Sequence, residues 1–162
     1  MNKKDQILEL LHEVKDPEIP VVSVVEMGMV RDVEITDDKT TVVITPTYSG
    51  CPAMYEIRKN VVAKLKNEGF GKVAVREQLS PAWTTDWMTD STKEKLREFG
   101  IAPPDKSTGE SIVKLFEKEK PVQCPYCGSE ETKLESRFGP TACKSLHYCN
   151  SCSQPFEHFK CH

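Results

Sequence analysis

Two short cysteine pairs stand close to the end of this 162-residue chain, C-P-Y-C at 124–127 and C-N-S-C at 149–152, with 21 residues between them. That gap is one residue beyond the ~15–20 usual between the halves of a zinc site. Each pair can fold into a tight turn that aims two thiolates at one point, and two such turns complete a tetrahedral four-cysteine centre. Gly128 suits the turn after the first pair. Cys124, Cys127, Cys149 and Cys152 are therefore read as the ligands of one structural Zn2+ in a zinc ribbon. A closed four-thiolate site has no open coordination position, so its metal holds the fold. Iron also suits four tetrahedral thiolates, and zinc is preferred over it here. Cys143, Cys161, His147, His158 and His162 are left over. The two thiols are either ordinary side chains or a second pair near the ribbon, and Lys160 beside Cys161 favours a thiolate there.

The seventh cysteine is isolated, in T-P-T-Y-S-G-C-P at 45–52. The spacing of Ile57, Val61 and Leu65 predicts a helix over 52–68, with Pro52 at its first position and Gly69 just past its end. Cys51 then falls at the N-cap, where unsatisfied N–H groups and the helix dipole stabilise a thiolate. Ser, Thr, Asp or Asn would cap better, which suggests that the sulfur itself is wanted. The plainer alternative is a small buried cysteine at a helix start. His12 is the one histidine in the first 123 residues and no second cysteine is near, so hydrolase or dithiol chemistry is poorly supported. Transient binding of a soft metal or cluster needs only the sulfur and access to it. Asp16 and Glu18, in D-P-E-I-P, form the other unusual polar group; otherwise they belong to a rigid solvated turn.

The elements that must position these groups follow from pattern. Ile7, Leu10, Leu11 and Val14 predict a helix over 3–15 that ends near Lys15, because Pro17 pushes Asp16 out of the α region. V-V-S-V-V-E-M-G reads equally as strand or helical turn. Residues 29–36 and 40–45 read as a hairpin, 72–79 as a further strand, and Met88, Thr92, Leu96 and Phe99 as a short helix closed by Gly100. The order α-β-β-α-β-α defines a small α+β domain with helices packed on a sheet. S-I-V-K-L-F-E-K-E-K (111–120) is ambiguous between strand and helix.

Composition narrows the function. Charged residues at 29% and apolar residues at 38% describe a soluble globular chain, and no apolar run approaches the ~18–20 residues of a spanning helix. Asp5 and Glu9 interrupt the N-terminal segment, and no cleavage site follows it, against a signal peptide. Seven cysteines without a secretion signal favour metal ligation over disulfides, and a cytoplasmic location. Phe138, Tyr148, Phe156 and Phe159 lie among Lys133, Arg137, Lys144 and Lys160, a mixture that could bind single-stranded nucleic acid. A tiny β module also needs aromatics for its core, which is the preferred reading. The net charge of −3 gives no broad basic surface.

D-P-E-I-P and T-P-T-Y-S-G-C-P resemble the two signatures of the SufT-like iron–sulfur assembly domain. W-T-T-D-W (83–87), G-I-A-P-P (100–104), G-P-T-A-C-K-S (139–145), the two cysteine pairs and the final F-K-C-H extend the resemblance over nearly the whole chain. They make it similar to the accessory-protein family of the phenylacetyl-CoA epoxidase system, a bacterial ring-epoxidising monooxygenase. The resemblance implies an assembly domain over 1–104, in which reactive Cys51 lies near Asp16, Glu18 and Thr47. A linker over 105–120 and a ribbon over 121–162 that docks the client follow. It also implies a non-catalytic factor that supplies or repairs an iron–sulfur cluster in the reductase component, with iron or cluster as passing cargo. The reductase and oxygenase components are the implied partners, without nucleic acid or membrane; a homodimer stays open. An electron-transfer or structural subunit of the oxygenase is the alternative, and a zinc-ribbon nucleic-acid adaptor ranks behind it. Two positions depart from the family pattern: Glu26-Met27-Gly28 replaces D-L-G, and Tyr48 stands where some members carry a second threonine.

Overall fold

Asn2 begins the first helix. Its side-chain oxygen accepts the Asp5 N–H at 2.9 Å while the Asp5 carboxylate accepts the Asn2 N–H, a reciprocal cap that satisfies two otherwise orphaned donors. In the computed structural model, which describes residues 1–105 and 120–160, this helix (α1) spans Lys3–Leu11. It stops well short of Lys15. The backbone beyond it pairs instead with a returning segment: Asp16 N–H donates to Val22 O, Val24 N–H to Val14 O, and Lys15 bridges Ser23. Extended backbone at a β-bridge cannot also be helical. The ambiguous stretch 21–28 becomes that bridge followed by a turn, in which the Ser23 and Glu26 side chains each accept the other's N–H.

The hairpin forms as expected, with β1 at Val30–Ile35 and β2 at Lys39–Ile44. Helix α2, Ala53–Asn67, then crosses back so that β3, Lys72–Glu77, pairs parallel to β2. A parallel neighbour needs such a crossover, because a tight turn cannot reverse the chain twice. Ile57, Val61 and Leu65 are fully buried on one stripe of α2, and Ile7 and Leu11 of α1 join the same core. Burying each such side chain is worth about 1.5–3 kcal/mol. The sheet order is β1-β2-β3.

Trp83 and Trp87 pack against the segment that precedes β1. Trp83 donates its indole N–H to Met27 O at 2.8 Å, and Trp87 lies so close to Gly28 that a Cβ there would sit 2.7 Å from the Trp87 Cβ. Gly28 also has φ +72, so its side-chain-free backbone answers both demands. The Arg31 guanidinium stacks 3.7 Å over the Trp87 ring centroid. Helix α3, Asp90–Glu98, follows, and Gly100 ends it with φ +92.

The chain divides into two units, Met1–Trp83 with Trp87–Thr92, and Thr84–Asp86 with Lys93–His162. The second holds a four-stranded sheet in the order β4-β7-β6-β5, built from Ile101–Ala102, Pro155–Phe159, Lys144–Cys149 and Thr132–Ser136. A domain boundary after residue 104 would leave Ile101–Ala102 with the first module. Its backbone instead pairs parallel with Glu157 and His158, inside the ribbon sheet. The architecture is thus α+β, a helix-covered sheet followed by a ribbon. Residues 111–119 of the ambiguous segment, with Cys161 and His162, lie outside the described residues.

Candidate functional site: a buried thiol and a four-cysteine centre

Cys51 sits one residue earlier relative to α2 than its spacing implied. Pro52 takes the N-cap position and supplies no side-chain cap, while Cys51 O accepts the Met54 N–H at 3.1 Å. The residue is 7% exposed, and its sulfur accepts hydrogen bonds from the Ala53 amide and the Tyr48 hydroxyl. Burial pushes the thiol above its ordinary range, and the Glu18 and Asp16 carboxylates push it further; the two hydrogen bonds oppose this without reversing it. A thiolate was expected here. The free side chain is a protonated thiol at neutral pH, because desolvation and two negative neighbours outweigh the helix start.

Glu18 and Asp16 thus act on Cys51 through their charge. Asp16 is buried and its Oδ1 accepts the N–H groups of Glu18 (2.8 Å) and Ile19 (3.1 Å), so the D-P-E-I-P turn is wound around its own carboxylate rather than solvated. Glu18 is half-buried, as is Thr47 in the bend before Cys51. Tyr48 entered the sequence analysis only as a departure from the family pattern, and its hydrogen bond to the sulfur was not anticipated. The signal was its position three residues before Cys51 in a tight turn, closed by the Cys51 N–H on Tyr48 O at 3.3 Å.

In the second unit the four expected ligands converge. All four sulfurs lie within 4.8 Å of one another, with Cys124–Cys152 at 3.7 Å and Cys127–Cys149 at 3.6 Å. A tetrahedron with metal–sulfur bonds of ~2.3 Å has edges of ~3.8 Å, so these spacings fit a metal. They are far too long for disulfides, which need ~2.05 Å. Each pair is wound by the same device. After the first, Gly128 N–H returns to Cys124 O at 2.9 Å with φ +75; after the second, Ser153 adopts φ +58. Backbone N–H groups of Cys152 and Ser151 pull the Cys149 thiol down to about 7, whereas burial pushes Cys152 up to about 12. A bound cation would take the place of all four protons.

Among the described residues, His147, His158 and Cys143 are packed within the ribbon. His147 stacks on Phe156 at 5.5 Å between centroids, its Nε2 lies 3.0 Å from Ser145 Oγ, and His158 meets it edge-on. Cys143 is buried with its sulfur 3.1 Å from Thr141 Oγ1. Phe156 and Phe159 are core residues, as is Lys144, whose ammonium pairs with Glu157 at 2.8 Å.

Fold and sulfur sites together define an iron–sulfur assembly domain joined to a metal-binding ribbon. Residues 4–76 match the family described as iron–sulfur cluster assembly protein, and residues 108–160 match the PaaD zinc beta ribbon domain. A relative from Escherichia coli (strain K12), provisionally named the D subunit of 1,2-phenylacetyl-CoA epoxidase, is 46% identical over 156 residues, covering 96% of this chain and 92% of its own. The chain belongs to this PaaD family of phenylacetyl-CoA epoxidase D subunits. An Fe-S protein maturation auxiliary factor of Porphyromonas gingivalis (strain ATCC BAA-308 / W83) is 31% identical over 62% of this chain and 94% of its own. A crystal structure of a DUF59 domain from Bacillus anthracis superposes with a TM-score of 0.54 and 26% identity, covering 57% of this chain and 90% of that one. Among the described residues no helix is long and apolar enough to cross a membrane.

Proposed function

We propose that this chain is a non-catalytic maturation factor for the phenylacetyl-CoA epoxidase complex, assisting assembly or repair of an iron–sulfur cluster in its reductase component. The observation that carries the reading is the buried Cys51 thiol faced by Glu18 and Asp16. Its sulfur is hydrogen-bonded to Ala53 and Tyr48, whereas the His12 Nδ1 lies 3.5 Å from Ser23 Oγ. That surrounding suits a ligand better than a nucleophile. A soft cation or cluster displaces the thiol proton as it binds, and the carboxylates offset the charge that arrives. The names of the two curated relatives point the same way, one to the epoxidase and one to Fe-S maturation. Zinc in the four-cysteine ribbon is structural in this reading, with Asp16, Glu18, Thr47 and Cys51 as the working site.

The alternative is an electron-transfer subunit with resident iron. Zinc and iron counted together per chain, on protein purified without air, separate the two. One zinc with little iron supports the maturation reading; stoichiometric iron on the resting protein contradicts it.

A further inference from the structure

The outward face of α2 continues from the Cys51 site and has an unusual make-up. Tyr55, Arg58, Lys59, Val62, Ala63 and Lys66 recur at helical spacing and line a shallow open depression of about 560 Å³. Tyr55, one turn beyond Cys51, is 77% exposed although α2 has an apolar core stripe elsewhere on its surface. No carboxylate lines the depression, in a chain whose net charge is −3. Arg58 is paired with Glu77 of β3. Lys59 and Lys66 have no ion-pair partner among the described residues, unlike Lys64, which pairs with Glu13 and Glu68. An aromatic anchor, a short aliphatic floor and uncompensated cations together form a surface complementary to an apolar ridge edged with carboxylates.

We propose that this face of α2 docks an acidic amphipathic segment of the protein whose cluster is being matured. This rests on the function proposed above and names the surface the client uses. Binding along α2 brings the client to the helix end that carries Cys51, so docking and cargo transfer share one element. The ribbon was expected to do the docking; the first module has a surface of its own for it.

The test is binding of the full chain to purified epoxidase components, at low and high salt. Lys59→Glu with Lys66→Glu is compared with a control of equal charge change on other exposed lysines, Lys3→Glu with Lys39→Glu. The expected result is at least tenfold weaker binding for the α2 pair, a gap that narrows as salt rises, and near-native binding for the control. Binding by the α2 pair within twofold of the unmodified chain, or equal weakening by the control, overturns the docking surface and leaves the function standing. No binding by the unmodified chain to any component overturns both.

Discussion

Glu18 and Cys51 belong to different loops of the first unit, yet the Glu18 carboxylate adds to burial in raising the thiol above its ordinary range. Burial and that charge together keep Cys51 protonated in the free protein. Glu18→Gln removes one of the raising charges, so iodoacetamide should label Cys51 faster at a given pH in this variant. Tyr48→Phe removes a hydrogen bond that favours the thiolate, so labelling should slow. Unchanged pH–rate profiles in both variants would mean that neither group touches the sulfur.

The same shift has a consequence for stability. Folded Cys51 holds its proton more tightly than an unfolded cysteine, whose pKa is ~8.5. Its contribution to stability is therefore fully present below the unfolded value and is lost as pH rises through the raised one. Cys51→Ser should stay folded and lose that part of the alkaline decline in stability. Denaturant titrations from pH 7 to 10 check this.

Cys124→Ser removes one of four ligands from a module too small to fold on an unaided core. Structural zinc supplies ~10–16 kcal/mol of apparent binding energy in comparable small domains. The variant, or the unmodified chain after chelation at mildly acidic pH, should lose the ordered ribbon signals in an NMR spectrum while those of the first unit persist. A ribbon that remains folded without metal contradicts the structural role of the centre.

Ser153 holds the left-handed position that Gly128 holds after the other cysteine pair. A non-glycine residue there costs roughly 1–2 kcal/mol, part of which glycine returns as lost chain entropy. Ser153→Gly should stabilise the metal-loaded ribbon by ~0.5–1 kcal/mol in a thermal melt. The opposite change, Gly28→Ala, meets both a positive φ and the Trp87 backbone, and should destabilise the first unit by roughly 2–4 kcal/mol.

What the sequence could show was what is local. The α2 stripe of Ile57, Val61 and Leu65 and the two cysteine pairs are periodicities or spacings, and each was found where its pattern put it. The end of α1 was not, because the Lys15–Ser23 bridge competes with helix through a partner that no local rule supplies. The protonation of Cys51 was read backwards for a related reason. Its helix start is visible in the chain, but its burial and its carboxylate neighbours exist only after folding. Ile101–Ala102 is too short to announce itself as a strand and is defined by pairing with β7.

The maturation role of Cys51 is tested most directly by iron and acid-labile sulfide, measured per reductase component of the epoxidase. That component is purified from cells that produce it with this chain, with the Cys51→Ser variant, or alone. The expected result is full cluster content with the unmodified chain and the same deficit with Cys51→Ser as with no chain at all. Equal cluster content in all three preparations would contradict the account.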